Sequence, residues 1–160
     1  MKSDYTSAAG RMFLVLLTAA GCGKSAPPYE GKSIAQLERM LDDSDSSVQV
    51  QGAFGLAQHG AEAKDAVPAL AKALTSKETL VRQNVALALG KIGPDAKDAV
   101  PALMDALNDP EWAVRRQAAT ALGEIGPNAR AALPALEKQT RDEHQLVRQA
   151  AEEARKKIRG

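Results

Sequence analysis

Apolar residues recur along the chain at the spacing of helix faces. Between Val81 and Ile92 they occupy positions i, i+4, i+7, i+8 and i+11, which lie on one side of an α-helix. A second, shorter face follows at Val100, Leu103 and Leu107. The pattern therefore predicts two consecutive helices, a longer helix A and a shorter helix B.

This pair of helices repeats with a period of 33 residues. The segment KIGPDAKDAVPAL at 91–103 returns as EIGPNARAALPAL at 124–136 and as QHGAEAKDAVPAL at 58–70. A fixed period predicts a repeated unit of architecture. The sequence accommodates an opening helix B at about 34–42, three complete A/B pairs and a closing helix A at about 144–159.

Glycine and proline residues lie where the predicted helices end. The glycines at the ends of helix A are expected to adopt the left-handed conformation of a C-terminal cap; they are Gly60, Gly93 and Gly126. The prolines of the apolar run lie near the start of helix B, where a missing N–H costs no helical bond; they are Pro68, Pro101 and Pro134.

Aspartates precede several predicted helices. Asp65 and Asp98 are placed to cap the free N–H groups of helix B, and Asp109 to cap a helix A whose first turn holds Pro110. One such helix pair cannot bury its own apolar side, so neighbouring pairs must stack to complete the core. The predicted fold is all-α, an α-α superhelix of about three and a half helical pairs.

The repeats resemble one known family more than others. An ankyrin repeat has a similar length, but its T-P-L-H-x-A signature is absent; tetratricopeptide repeats are longer and carry aromatic landmarks missing here. VRRQAATALGEIG at 114–126 and AVPAL at 99–103 resemble the short HEAT-like repeat of the phycobilisome-lyase type. The resemblance covers about residues 34–159. It implies an α-solenoid that binds proteins or, by family name alone, a bilin lyase or chaperone of chromophore attachment.

The first residues have a different character. Lys2 and Arg11 flank a polar start, and MFLVLLTAA at 12–20 follows it as an apolar run too short to span a bilayer as a helix. A basic start, a short apolar core and a small-residue exit are typical of a secretory signal peptide, here residues 1–21. TAAGC at 18–22 resembles the lipobox of bacterial lipoproteins, which implies acylation of Cys22 and anchoring to the cell membrane or outer membrane. Residues 22–33 then read as the lipidated N-terminus and a flexible tether, and 34–160 as the repeat domain.

Composition narrows the possible chemistry. A formal net charge of +1 gives no support for a nucleic-acid partner. With two histidines and one cysteine the sequence offers no metal cluster, and it contains no G-x-S-x-G nucleophile motif. We therefore expect no metal, no cofactor and no enzymatic activity.

Candidate site residues fall into two groups at the repeat spacing. The first is an arginine ladder, defined as Arg82, Arg115 and Arg148, with Asp109 and Asp142 nearby; we interpret it as structural, since guanidinium groups suit fixed multi-donor bonding. The second is a helix-B surface, expected to be concave and to bind a protein partner; its residues are Lys72, Asp105 and Lys138, with Thr75, Asn108 and Arg141.

Trp112 is a further candidate partner contact, because its equivalents Ser46, Thr79 and Gln145 are polar; it could equally lie flat on the neighbouring unit. The predicted function is a lipid-anchored interaction module or scaffold. A structural spacer without a specific partner remains an alternative.

Overall fold

The computed structural model describes residues 27–160, and this part of the chain is helical without any strand. The α-helices alternate between the two predicted types, with even numbers for helices A and odd numbers for helices B. Their bounds are α1 Ile34–Met40, α2 Ser46–His59, α3 Val67–Ala73, α4 Thr79–Ile92, α5 Val100–Ala106, α6 Trp112–Ile125, α7 Leu133–Gln139 and α8 Gln145–Arg159. The predicted all-α architecture of repeated helix pairs is confirmed. The predicted signal peptide and Cys22 lie outside the described residues.

Each helix A is joined to the next helix B by a 3-10 segment. These segments are Gly60–Ala66, Gly93–Ala99 and Gly126–Ala132. The first glycine of each has φ of 55°, 72° and 70°, but ψ of −131°, −136° and −139°. The prediction that these glycines end helix A with a positive φ is confirmed, but their ψ differs from the value near +47° of a left-handed helical residue. The conformation found is one that glycine adopts without the steric cost of a side chain.

The predicted aspartate caps of helix B are also wrong. The residue before α3, Ala66, already has helical dihedral angles, and no side chain caps this end. The N–H of Val67 donates instead to Lys64 O in the 3-10 segment. Because the 3-10 turn runs directly into the helix, the N–H groups that Asp65 would cap are not free, and its side chain is exposed. Asp98 is in the same position before α5, where Val100 N–H bonds Lys97 O. The placement of the prolines at the start of helix B is confirmed.

The core is aliphatic and continuous through the stack. The equivalent leucines of successive helices B are fully buried; they are Leu37, Leu70, Leu103 and Leu136. Helices A pack directly on one another through small residues. A Cβ added to Gly90 would lie 3.2 Å from Ala121 Cα, and one added to Gly123 would lie 2.8 Å from Ala154 Cα. The backbones of α4, α6 and α8 therefore approach closely, as close packing of helices requires.

The two ends of the stack are finished differently. At the first end, Tyr29, which precedes the first helix, lies edge-on to Phe54 of α2 with ring centroids 5.1 Å apart. At the last end, Arg155 stands where the preceding units have a core leucine, and its Nη2 forms an ion pair with Glu137. Within residues 27–160, none of the helices has both the length and the apolar character needed to cross a bilayer.

Candidate functional site

The arginine ladder joins neighbouring units by bidentate ion pairs. Arg82 on α4 donates from Nε to Asp109 Oδ2 at 2.6 Å and from Nη2 to Asp109 Oδ1 at 3.0 Å. Its Nη1 donates to the carbonyl oxygens of Ser76 and Lys77, both at 2.9 Å. The planar guanidinium group thus binds the turn that precedes its own helix together with the turn that precedes the next helix A.

Arg115 on α6 repeats this geometry one unit later. Its Nε and Nη2 donate to Asp142 at 2.8 and 3.1 Å, and its Nη1 donates to the carbonyl oxygens of Asp109 and Pro110. Nη2 also lies 3.2 Å from Glu143 Oε1. The acid that each arginine binds is therefore 27 residues ahead of it, while the residue six positions before it contributes only a carbonyl oxygen.

The two aspartates also order the turns in which they lie. Asp109 Oδ1 accepts a hydrogen bond from Glu111 N at 2.9 Å, and Asp142 Oδ1 accepts one from His144 N at 2.8 Å. Helix α6 begins at Trp112 with Glu111 as its N-cap residue. Asp109 thus binds the cap residue rather than capping the helix itself, and Pro110 precedes the first turn, contrary to the sequence prediction.

Burial and hydrogen bonding act in opposite directions on these carboxyl groups. Burial alone would raise the pKa of Asp109, but hydrogen bonds from Arg82 and from Glu111 N outweigh it, and the pKa falls below its ordinary value. The pKa of Asp142 is lowered in the same way, with Arg115 and His144 N as the donors. Both aspartates are therefore held as carboxylates in the fold.

The ladder changes at both ends of the described chain. Arg148 donates from Nη1 to the carbonyl oxygens of Asp142 and Glu143 at 2.8 and 3.0 Å. In the first unit, Gln49 takes the place of the arginine and Ser76 that of its aspartate. Gln49 Nε2 donates to Asp43 O at 2.5 Å, which repeats the carbonyl bond of the arginines. A pocket of about 160 Å³ is lined by Gln49 and Ser76, with Asp42, Lys72 and Thr75 beside them.

The predicted helix-B surface is exposed. Lys72, Asp105 and Lys138 lie on α3, α5 and α7, and Thr75, Asn108 and Arg141 lie in the turns that follow these helices. Lys72 Nζ forms an ion pair with Asp42 Oδ1 at 2.9 Å, with both side chains largely exposed.

The curvature of this surface differs from the prediction. Helices A of neighbouring units pack along their lengths, whereas α3 and α5 touch only marginally. A stack bends toward the layer in which its units lie closer together. The helix-B surface is thus on the outer side, and the expectation that it is concave is wrong. The sequence could not show this, because the contact of Gly90 and Gly123 with the next helix depends on packing.

Trp112 packs against the neighbouring unit and is also partly exposed, which are the two arrangements considered for it. Its ring stacks on His144 of the next unit with centroids 3.9 Å apart and planes at 4°, and Arg116 Cζ lies 5.8 Å from the ring centroid. It nevertheless keeps 37% of its surface exposed. It therefore lies flat on its neighbour and is also available for contact.

Two exposed leucines were missed by the sequence reasoning. Leu80 is 64% exposed and Leu146 is 39% exposed. They hold equivalent positions in α4 and α8, where the other helices A carry Ser47 and Ala113. That variation between units is the signal that could have identified them. Among the described residues, the exposed large hydrophobic side chains are those of Leu80, Trp112 and Leu146, and each lies in the first turn of a helix A.

Residues 27–160 contain no group of three or more histidine, cysteine, aspartate or glutamate side chains arranged to hold a metal ion. The described geometry consists of ion pairs between units and exposed surfaces on a rigid frame.

Solved structures share this architecture. An engineered protein superposes with a TM-score of 0.68 at 27% identity, covering 79% of this chain and 62% of that one. A designed armadillo repeat protein in complex with the peptide (KR)4 gives a TM-score of 0.68 at 20% identity, with 78% and 64% covered. The complex of CpcE and CpcF of phycocyanin lyase from Nostoc sp. PCC7120 gives 0.59 at 21% identity, with 86% and 70% covered. The last two identities show a common fold alone.

The match to a sequence family covers most of the chain. The model of HEAT repeats matches residues 34–98 and 94–156. Among curated proteins, none matches this sequence. The chain spans 62% of the length of the engineered protein it resembles. With the stacked A/B pairs, the repeat period and the family match in agreement, the chain belongs to the family of HEAT-repeat proteins.

Proposed function

We propose that this HEAT-repeat protein is a lipid-anchored interaction module at the bacterial cell envelope, which binds a protein partner and has no catalytic activity of its own. The observation that supports this function best is that buried and exposed positions vary differently between the units. The positions shared by the units build the frame, and exposed positions vary from unit to unit. A frame with variable exposed residues is the arrangement that repeat proteins use for binding.

The charged residues of the arginine ladder form ion pairs with one another inside the repeat domain. Arg82, Arg115, Asp109 and Asp142 bind one another across unit interfaces, so their role is to hold units together. A designed armadillo relative of the same fold is described in complex with a peptide, which supports peptide or protein recognition as the use of such a frame. The phycocyanin lyase neighbour is an enzyme subunit complex, but a likeness of fold does not carry its activity over.

Anchoring rests on the lipobox resemblance around Cys22. Two acyl chains would hold the protein stably at a membrane surface. Mass spectrometry of the protein isolated from membranes should find a mature N-terminus at an acylated Cys22. A mature chain that still begins at Met1 contradicts the anchor but leaves the binding function open.

Crosslinking in cells tests the binding function. The full chain, with its own N-terminus, is crosslinked in the membrane fraction, and adducts are compared with those of a Cys22→Ala control expressed at the same level. A specific module gives the same protein adduct in every preparation. A spacer without a partner gives no reproducible adduct, and that result would refute the proposal.

A further inference from the structure

We infer that neighbouring copies of this protein bind each other end to end, with Arg148 of one copy paired to Asp43 of the next. Such self-association goes beyond the proposed function, because it needs no partner of another kind. Within residues 27–160 the first helix, α1, is a helix B without a helix A before it, and the last, α8, is a helix A without a helix B after it. Contact between the two ends would join α8 of one copy and α1 of the next into one further A/B pair.

Arg148 is the ladder arginine that binds no acid of the described chain. Its Nη1 donates to two carbonyl oxygens of the preceding turn at 2.8 and 3.0 Å, and Arg82 and Arg115 are held in the same way. In those two arginines the other edge, Nε with Nη2, binds both oxygens of an aspartate in the next unit. Arg148 is partly exposed at this edge of the stack. Because a guanidinium group is planar and rigid, fixing Nη1 presets the place of a carboxylate on Nε and Nη2.

Asp43 is the ladder aspartate that binds no arginine of the described chain. It lies two repeat periods before Asp109 and three before Asp142. Its Oδ1 accepts a hydrogen bond from Asp45 N at 2.8 Å, the same bond by which Asp109 and Asp142 order their turns. Its side chain is exposed. A second copy that continued the repeat period after α8 would place Asp43 27 residues beyond Arg148, which is the separation within both internal pairs.

The first helix A is less covered than the later ones. Val48 of α2 is partly exposed, whereas its equivalents are fully buried; they are Val81, Val114 and Val147. The difference is expected because, within residues 27–160, α2 has no helix A packed before it. Contact with α8 of another copy would remove more of Val48 from water.

The last end differs from an internal interface in its polarity. Positions that are small or apolar in α6 are charged in α8, where Glu152 replaces Ala119, Arg155 replaces Leu122 and Lys156 replaces Gly123. A polar outer face of this kind keeps a terminal repeat soluble. The copies therefore cannot approach as closely as α6 and α8 do, and we expect a reversible contact rather than a permanent one.

The first end has room for the lysine of this polar face. Gly55 of α2 is equivalent to Ala154, which lies against the preceding helix A. A pocket of about 460 Å³ lies beside Gly55, with Glu30 and Lys32 among its lining residues. The repeat register would bring Lys156 of the preceding copy to this pocket, where Glu30 offers a carboxylate.

The charges favour contact between unlike ends. Residues 27–45 contain five acids and two bases, and residues 145–160 contain five bases and two acids. Asp42, Arg155 and Lys157 are already paired with residues outside these ranges. The remainder is four acids against two bases at the first end, and three bases against two acids at the last. Like ends repel each other, so the contact is head-to-tail and can extend to longer assemblies.

Crosslinking between isotope-labelled and unlabelled copies tests this contact. Equal amounts of the two forms of the full chain are mixed, treated with a short amine-reactive crosslinker, digested and analysed by mass spectrometry. We expect a crosslink between Lys32 and Lys156 that joins labelled to unlabelled peptide, because these lysines lie at opposite ends of one chain and meet only between copies. Its yield should rise with protein concentration.

Charge reversal identifies the ion pair that holds the copies together. Arg148→Asp and Asp43→Arg each place like charges at the contact, so each variant alone should lose the Lys32–Lys156 crosslink at least about tenfold. An equal mixture of the two variants should recover it, because Arg148 of one variant then meets Asp43 of the other. Misfolded variants could not give this recovery. The matched controls, Lys97→Asp and Asp65→Arg, reverse exposed charges between the ends and should keep the crosslink within about twofold.

Four results would overturn the inference: no mixed-isotope crosslink in the wild-type chain, an unchanged crosslink in either charge-reversal variant, no recovery in their mixture, or an equal loss in the controls. An adduct with a different protein that Arg148→Asp abolishes, without any link between copies, would also overturn it and assign Arg148 to that protein. The proposed function is judged separately, since it requires an adduct whose mass is not a multiple of this chain.

Discussion

The interface between α2 and α4 differs from the two that follow it. Between α4 and α6, and again between α6 and α8, a bidentate arginine–aspartate pair joins the units. At the first interface the equivalent residues are Gln49 and Ser76, and a pocket lies beside them. Ala57 also stands there in the place of Gly90 and Gly123.

At the first interface the arginine and its aspartate are absent together. From the sequence alone, Gln49 and Ser76 look like two separate departures from the ladder. The structure shows that residues 27 apart form each pair, so Gln49 and Ser76 are the two halves of one pair. Loss of only one half would leave a charge in a mostly buried place, which costs several kcal/mol. Neutral residues at both positions avoid that cost.

Among these variants, Asp109→Ala should lower the free energy of unfolding most. Arg82 would keep its carbonyl bonds but lose its carboxylate partner, with only 11% of its side chain exposed. We expect the free energy of unfolding to fall by roughly 3 kcal/mol, measured by urea denaturation. Gln49→Ala at the first interface is the control and should cost less than about 1 kcal/mol. Equal losses would show that the ion pairs do not distinguish the interfaces.

Gly123→Ala should give the next largest effect. The new Cβ would lie 2.8 Å from Ala154 Cα, so the backbones of α6 and α8 must separate. Overpacking should lower the free energy of unfolding by about 1–3 kcal/mol. The better helix propensity of alanine offsets part of this loss. Gly90→Ala, at 3.2 Å from Ala121 Cα, should cost less. Thermal unfolding of the two variants side by side checks this order, and a reversed order would contradict the packing argument.

Introducing an arginine–aspartate pair at the first interface should change the free energy of unfolding by a smaller amount. Gln49→Arg alone and Ser76→Asp alone each add an unpaired charge and should lower stability. The double variant should recover both losses, with a coupling energy of about 1–2 kcal/mol in a double-mutant cycle. Additive effects of the two substitutions would mean that the pairing geometry of the later interfaces cannot form beside α2.

Lowering the pH should produce the smallest change in the free energy of unfolding. The pKa values of Asp109 and Asp142 are lowered in the fold, so the unfolded chain binds protons more readily than the folded one. The stability these pairs supply is complete above the unfolded pKa of about 3.9 and is lost as the pH falls through the folded values. Urea unfolding at a series of pH values below about 5 should show this loss. The Asp109→Ala variant should show less of it, and an unchanged acid dependence would contradict the assignment.

The sequence predicted the fold well because its signals were local and repeated. The period, the apolar faces and the prolines at the start of helix B could all be read from neighbouring residues, and the helices were found close to the predicted ranges. The caps were predicted poorly. Asp65 and Asp98 have the residue type of a cap, but whether an N–H is free depends on the turn before it, which here continues as a 3-10 segment.

The candidate surfaces depended still more on tertiary structure. The repeat pattern located Trp112 and the ladder arginines, but not the pairing of Arg82 with Asp109 or the stacking of Trp112 on His144. The variation of Leu80 to Ser47 and Ala113 in other units indicates a position outside the core, but how far its side chain is exposed depends on the packed stack. Exposure is a property of neighbours in space, which a pattern along one chain does not specify.

The stack of two-helix units follows from the order of the amino acids, since periodic apolar faces can be buried only against copies of themselves. The inner layer of the stack, the charges that bind across unit interfaces and the apolar side chains left exposed follow instead from how the helices pack. The physical reason is that these features depend on distances between helices, and contacts such as that of Gly123 with Ala154 set those distances.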